Sequence, residues 1–326
     1  MISKTLPGTF ALALGVLMLS PALVPAQTWP NKPIRMIVPF PPGGATDFVA
    51  RIIGQKFTEQ LGQQVPIDNR AGANGILGLQ NLMASAPDGY SIATVSAGPL
   101  AVNPHIYKKL PYDSLRDFTY IGNMVNIPLL LVVHPSLGVK SVKELIALAR
   151  RRGGEITYSS PGVGNSSHLA PELFNFMAKV KMLHVPYKGM GPAVQSVLAG
   201  EGQLLYSSIP PILPHVKSGR VVALAVGNAQ RVASLPDIPT VAEAGVPGYE
   251  AYSWTGLIGP AKMPAEVVQR LNKELVNALK QKDIYDRLLS EGAIPTPSSG
   301  EEFRTYVAAE IKKWGEVVKI AGITPE

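Results

Sequence analysis

Two distant segments combine glycine with small hydroxyl or acidic residues, a combination that suits the binding of anions. The first is PFPPGGATD, residues 39–47, and the second is SSPGVGNSSH, residues 159–168. Each follows an apolar run that predicts a strand and leads into a segment with helical spacing of apolar residues. A glycine-rich turn that opens a helix exposes unpaired N–H groups at the positive end of the helix dipole. We therefore interpret the two segments as parts of one site for a small carboxylate.

The elements that must position these turns alternate between strands and helices along the chain. A buried strand over 34–38 precedes a helix over 46–61, and a strand over 156–159 precedes a helix over 167–179. Residues 121–133 read as one or two strands broken at a proline. This alternation predicts an α/β fold with mainly parallel strands.

The positions of the two turns divide the chain into two lobes with the ligand cleft between them. We expect residues 27–128 to begin the first lobe, residues 129–250 to form the second lobe, and residues 251–326 to return to the first. The return is favoured because the long C-terminal helices need a sheet to pack against. Two crossings between the lobes would form a hinge.

The N-terminus predicts export from the cytoplasm. Lys4, an apolar stretch over 10–19 and a cleavage-like VPA sequence before Gln27 indicate a signal peptide over 1–26. The apolar stretch is shorter than the roughly 20 residues that a spanning helix needs, although an uncleaved anchor is the alternative interpretation. The chain has no cysteine, so it has no disulfide and no site for a lipoprotein anchor. We expect a soluble periplasmic protein.

Several other chemistries are poorly supported. Ser167 and His168 are adjacent, which does not orient a base onto its neighbour's hydroxyl, and no nucleophile-elbow pattern occurs. The five histidines lack metal-ligand spacing, and no phosphate loop is present. The net charge of +7 comes from scattered residues without a basic stripe, which argues against nucleic-acid binding. We expect no enzymatic activity, no cofactor, no metal, no nucleic-acid partner and a monomeric state.

Motifs along the whole mature chain resemble the Bug family of extracytoplasmic solute receptors, the binding proteins of tripartite tricarboxylate transporters. The resemblance rests on WPNKPI at 29–34, VPFPPGGATD at 38–47, NRAGA at 69–73, VPYKG at 185–189 and LPDIPT at 235–240. It implies a type II periplasmic-binding-protein fold with two crossovers. It also implies that backbone N–H groups and ordered waters at the two turns hold the ligand's carboxylate.

The resemblance, carried over position by position, gives the candidate ligand-binding residues. Those of the first lobe are Gly43, Gly44, Ala45 and Asp47, with Asn74 and Ser96 at its rim; those of the second lobe are Ser160, Gly164, Asn165, Ser166, Ser167, His168 and Ser207. Many family members have an acidic residue near Ser207, where it would face a ligand's ammonium group. Its absence here favours a mono- or dicarboxylate over an amino acid.

Some of these residues also have ordinary structural interpretations. Gly43 and Gly44 would permit a tight turn, and Asp47 would cap the helix or hold ordered water. One of Ser166 and Ser167 is expected to be a helix cap, which leaves the other for the cleft. Whether His168 and Lys188 contact the ligand stays open, and Trp254 is expected to pack between the lobes.

The sequence therefore predicts a receptor that captures a small organic carboxylate and delivers it to a membrane permease. The alternative within binding proteins is a ligand sensor for a membrane kinase. The alternative from another class is an exported α/β hydrolase, which would need a positioned nucleophile and base.

Overall fold

The computed structural model describes residues 1–2 and 29–323. All but two residues of the expected signal peptide over 1–26 therefore lie outside the described residues. The described part contains ten strands and ten α-helices, which alternate except where β9 follows β8 and α9 follows α8. The strands are β1 (Arg35–Val38), β2 (Ile67–Asn69), β3 (Ser91–Val95), β4 (Phe118–Val133), β5 (Thr157–Ser160), β6 (Leu183–Pro186), β7 (Leu204–Ser208), β8 (Val222–Val226), β9 (Tyr252–Pro260) and β10 (Ile294–Pro295). The helices are α1 (Ala45–Leu61), α2 (Ile76–Met83), α3 (Asn103–Ile106), α4 (Val142–Arg152), α5 (Ser166–Ala178), α6 (Met190–Leu198), α7 (Ile209–Lys217), α8 (Ala265–Lys280), α9 (Lys282–Ser290) and α10 (Gly300–Ile320).

The strands form one mixed sheet in the order β2-β1-β3-β9-β4-β7-β5-β6, and β8 and β10 also pair with β4. The outer strands are parallel: β1 pairs in this way with β2 and β3, and β5 pairs with β6 and β7. The central strands β4 and β9 are antiparallel to their neighbours. The expectation of mainly parallel strands was therefore wrong for the centre, where the chain passes directly from one set of parallel strands to the other without a crossover helix.

Strand β4 joins two segments of the sheet. It pairs with β9 as far as Pro128, which lies opposite Tyr252, and from Leu129 onwards it pairs with β7 and β8. The predicted break at Pro128 is wrong, because one strand runs through it. Pro128 lies directly before the change of partners, so its missing N–H falls at the end of a ladder and not inside one. We call the part with β1, β2, β3, β9 and β10 the first sheet segment and the part with β5, β6, β7 and β8 the second.

Helix α10 packs along the join and contacts β4 and α5. The indole N–H groups of Trp254 and Trp314 both donate to Oε2 of Glu310, at 3.0 and 2.8 Å. Trp254 is fully buried and packs edge-to-face with Phe303 and Tyr306. Trp254 is thus a packing residue, as expected, and its partners are on α10.

No helix within the described residues is long and apolar enough to cross a membrane. In the same part of the chain, no three histidine or acidic side chains cluster in a way that would hold a metal ion.

Candidate functional site

Both glycine-rich turns lie where parallel strands end and helices begin, as the sequence predicts. The first turn follows β1 and opens α1 at Gly44, where no side chain of the described residues caps the helix. Gly43 has φ +87°, a conformation that favours glycine, whereas Gly44 has φ −84° and open space around its Cα. The exposed N–H groups at the start of α1 therefore have no side-chain competitor for an anion.

Asp47 fixes the shape of the first turn. Its carboxylate accepts the N–H of Gly43 at 3.0 Å, the amide of Asn69 at 2.9 Å and two bonds from Arg51 at 2.9 and 3.0 Å. Burial alone would raise the pKa of Asp47, but the bonds from Arg51, Gly43 and Asn69 outweigh burial and lower that pKa. The carboxylate is thus occupied by protein donors, which agrees with the structural interpretation of this residue.

The second turn follows β5 and opens α5, and its helix cap differs from the prediction. Asn165 is the cap: its Oδ1 accepts the N–H of His168 at 3.1 Å, and its Nδ2 donates to the carbonyl of Gly162 at 2.5 Å. Asn165 has the extended backbone of a cap, whereas Ser166 already begins the helix. The expectation that Ser166 or Ser167 is the cap was therefore wrong, and both hydroxyls are left for other uses.

Buried serines with unused hydroxyls lie close to both turns. Ser166 and Ser167 are 7% and 4% exposed, and Ser96, which follows β3, is 8% exposed. None of the three side chains is hydrogen-bonded to another described residue. Ser207 differs, because it is fully buried and its hydroxyl donates to the carbonyl of Ser208 at 2.8 Å. Ser96, Ser166 and Ser167 are therefore the hydroxyl groups with free capacity.

A stacked pair of histidines supports the second turn. The ring centroids of His168 and His184 are 4.0 Å apart, and Tyr158 stacks on His184 at 4.9 Å. Nδ1 of His168 accepts the N–H of Gly164 at 3.2 Å, and Nε2 of His184 lies 2.6 Å from Oγ of Ser160. Burial lowers the pKa of His168 to about 3, with a further contribution from His184, and burial lowers the pKa of His184 to about 4. Both rings are neutral at pH 7.

His184 and Tyr158 were missed by the sequence analysis. They face each other in the parallel pairing of β5 with β6, so a predicted strand register would have placed them together. Tyr158 also hydrogen-bonds to Glu172 in α5. His168 is 4% exposed and occupied by Gly164 and His184, which identifies a structural part for it in the turn. Lys188 is exposed beyond β6.

The second turn meets a part of the first sheet segment that adjoins the first turn, since a Cβ at Gly75 would lie 3.3 Å from Cβ of Pro39. Nδ2 of Asn74, which precedes α2, donates to the carbonyl of Gly164 at 3.1 Å. Gly98, two residues after Ser96, lies so close that a Cβ there would be 3.3 Å from the same carbonyl. Ile106 packs on Gly164, where a Cβ would be only 2.3 Å from the isoleucine Cδ1. The structure thus brings the predicted residues Asn74, Ser96 and Gly164 into one region.

Comparison with known proteins places this architecture in a family. The model of the tripartite tricarboxylate transporter family receptor matches residues 49–323. Protein BugT of Bordetella pertussis is 36% identical over 302 residues, which cover 92% of this chain and 93% of BugT. A protein encoded in the tcbD-tcbE intergenic region of Pseudomonas sp. strain P51 is 38% identical over 90% of this chain and 87% of its own length.

Solved structures agree with the sequence matches. R. palustris Rpa4515 with adipate superimposes with a TM-score of 0.86 at 37% identity, over 91% of this chain and all of the other. The periplasmic binding protein BugD gives 0.83 at 31% identity, over 91% and 100%. MatC of Rhodopseudomonas palustris with bound malate gives 0.81 at 31% identity, over 89% and 100%.

The expected periplasmic-binding-protein fold is therefore confirmed, and both the fold and the family are those of binding proteins. The Bug resemblance of the sequence motifs is confirmed by the same matches. The chain belongs to the tripartite tricarboxylate transporter receptor family.

Proposed function

We propose that the chain is a periplasmic receptor that binds a small organic carboxylate between two lobes and delivers it to the permease of a tripartite transporter. The lobes would comprise residues 27–128 with 251–326, and residues 129–250. The exchange of strand partners in β4 at Pro128 and Leu129, together with the return of the chain through β9, supports these limits. No chemical conversion of the ligand is part of the proposal.

The observation that carries the proposal is the set of free donors beside the two turns. Gly98 and Gly164 approach each other across the join. Ser96 lies two residues before Gly98, and Ser166 lies two residues after Gly164. The hydroxyl oxygens of Ser96, Ser166 and Ser167 are not among the fully enclosed unpaired polar atoms of the described residues, so they still reach solvent and are open to a ligand. These three hydroxyls, with the uncapped start of α1, would donate hydrogen bonds to a carboxylate.

A dicarboxylate fits the remaining observations best. Rpa4515 and MatC are solved with adipate and malate, which are both dicarboxylates. The histidines beside the second turn are neutral, and Arg51 is bound to Asp47. The ligand would thus be held by neutral donors and helix N-termini, and Ser207 offers no negative charge to an ammonium group.

A serine–histidine contact lies near the site but does not favour a hydrolase. Oγ of Ser160 is 2.6 Å from Nε2 of His184, yet Ser160 is fully buried and its hydroxyl also donates to the carbonyl of Gly162 at 2.9 Å. A nucleophile needs access to its substrate. Unchanged NMR spectra of the bound carboxylate after long incubation would support the receptor, and turnover would contradict it.

The test is a thermal-shift and calorimetric screen of residues 27–326 against mono-, di- and tricarboxylates and acidic amino acids. Ligand at about 100 times its dissociation constant adds roughly 2.7 kcal/mol of stability. Ser166→Ala and Ser167→Ala should weaken binding of the selected ligand, whereas the control Ser290→Ala, on the exposed face of α9, should not. If refolded, ligand-stripped protein binds none of the carboxylates, the proposal fails.

Two finer parts of the proposal need separate measurements. Uptake of the labelled ligand should be lost in cells that lack this chain and should return on its expression if it serves a permease. Light scattering of the purified protein should give the mass of a monomer. Intact uptake in the deleted strain would favour a sensory task over transport.

A further inference from the structure

A chain of side-chain amides leads from the interior of the first sheet segment to the second glycine-rich turn. Asn74 is its last member, and its Nδ2 donates both to Oδ1 of Asn103 at 2.8 Å and to the carbonyl of Gly164 at 3.1 Å. Asn103 is fully buried. Its own Nδ2 donates to the carbonyl of Asn74 at 3.2 Å and to the hydroxyl of Tyr112 at 3.2 Å.

This network fixes which way the Asn74 amide points. Tyr112 donates to the carbonyl of Pro99 at 2.6 Å, so its oxygen is an acceptor for Asn103. Asn103 therefore presents Oδ1 to Asn74, and only the NH₂ group of Asn74 can satisfy both that oxygen and the carbonyl of Gly164. A flipped Asn74 amide would place its oxygen against two acceptors.

The orientation has a direct consequence for ligand binding. Both amide protons of Asn74 are donated to protein oxygens, which leaves only its carbonyl oxygen, an acceptor. A carboxylate is itself an acceptor and gains nothing from that oxygen. The side chain of Asn74 therefore offers no donor to a carboxylate.

The backbone of Asn74 is also specialised. It has φ +46° and ψ +43°, the left-handed conformation that asparagine tolerates better than most residues. Ala73 beside it has φ +46° and is exposed. Gly98 leaves room for this contact, because a Cβ at that position would be 3.1 Å from the Asn74 amide and 3.3 Å from the Gly164 carbonyl.

We propose that Asn74, held by Asn103 and Tyr112, is a latch between the two sheet segments that promotes closure of the cleft without touching the ligand. The contact joins the residues before α2 in the first segment to the turn before α5 in the second. The residues before α2 also adjoin the first turn, because a Cβ at Gly75 would lie 3.3 Å from Cβ of Pro39. Because the latch consists only of protein groups, it stabilises the closed arrangement in the absence of ligand. The proposal therefore requires a measurable closed population in the ligand-free protein. It builds on the two-lobed receptor described under Proposed function.

The test is a distance measurement between the lobes, which the absence of cysteine makes simple. Cysteines are introduced at the exposed residues Gln80 in α2 and Glu201 before β7, and spin labels report the distance distribution of refolded, ligand-free protein. Asn74→Gly removes the amide and keeps the backbone conformation. One neutral hydrogen bond is worth about 1 kcal/mol, so we expect the closed-to-open ratio to fall about 3- to 10-fold.

Two further variants sharpen the result. Asn74→Asp should reduce the closed population more than Asn74→Gly, because a carboxylate would face the oxygens of Asn103 and Gly164. Tyr112→Phe should act in the same direction with a smaller effect, since Asn103 loses one partner. Ala73→Gly is the matched control: it loosens the adjacent left-handed residue, keeps the amide and should leave the distances unchanged.

The outcomes separate the latch from other interpretations. A single open distance in the ligand-free wild type overturns the proposal, as do identical distributions in the wild type, Asn74→Gly and Asn74→Asp. Weaker ligand binding with unchanged distances would show that Asn74 contacts the ligand, which also overturns it. The measurement needs no ligand, so a failure of the carboxylate screen would refute the proposed function and leave the latch standing.

Discussion

The stacked histidines predict that this protein loses stability in mild acid. His168 and His184 have pKa values of about 3 and 4 in the folded protein, against an ordinary 6.5. Below pH 6.5 the unfolded chain takes up protons that the folded protein does not. The free energy of unfolding is therefore fully retained above pH 6.5 and falls as the pH drops towards 4.

The magnitude follows from the size of the shifts. A difference of one bound proton between the unfolded and folded states changes the free energy of unfolding by about 1.4 kcal/mol per pH unit. His168 alone therefore lowers that free energy by about 2 kcal/mol between pH 7 and pH 5. His184 is half-buried, and solvent screening reduces its share to about 1 kcal/mol. The pair should thus cost about 3 kcal/mol over this range. Protonation of Nδ1 in His168 would also remove its bond from the N–H of Gly164.

The assay is urea denaturation at pH 7, 6 and 5 of the wild type and of a His168→Asn, His184→Gln double variant. The double variant has no group at these positions that titrates, so its stability should change about 3 kcal/mol less between pH 7 and pH 5. His215→Gln, in the last turn of α7, is the control and should follow the wild type. Parallel pH profiles for the wild type and the double variant would refute the reasoning.

Three further predictions concern single sites. Asp47→Asn should lower the free energy of unfolding by about 1–3 kcal/mol, because charge-assisted bonds to a buried carboxylate are lost; an unchanged urea midpoint would contradict this. Gly164→Ala should weaken ligand binding at least 10-fold in calorimetry, because the added Cβ would clash with Ile106 and φ is +79° at this position. Gly44→Ala has open space for its Cβ and should fold normally. Equal affinity in Gly164→Ala and the wild type would count against the site. Glu310→Ala should cost about 2–4 kcal/mol in denaturation, because two buried indole N–H groups lose their acceptor, while the exposed control Glu316→Ala should change little.

The sequence was most informative where local chemistry decides the structure. Glycine-rich segments between an apolar run and a helical pattern placed both turns correctly, because strand, turn and helix start each have a local signal. The cap of α5 was mispredicted because Asn165, Ser166 and Ser167 are all good caps, and only backbone geometry selects among them.

Features that depend on pairing distant residues were out of reach. The antiparallel centre of the sheet arises from β4 and β9, which are more than a hundred residues apart. His184 and Tyr158 meet through the register of two strands, and Asn74 meets Gly164 through the arrangement of the whole sheet. Neither register nor arrangement has a signal within a single window of residues.

The way in which the chain passes between the sheet segments has a mechanical consequence. The outward connection is strand β4, and the return enters β9 at Tyr252, opposite Pro128. Strands β4 and β9 are hydrogen-bonded to each other from Phe118 to Pro128, within the first segment, with irregular register near Gly122 and Val125. Motion between the segments would therefore turn about the end of this paired ribbon and leave its hydrogen bonds intact. The amide protons of β4 and β9 should therefore stay protected from exchange with solvent through repeated cycles of opening and closing.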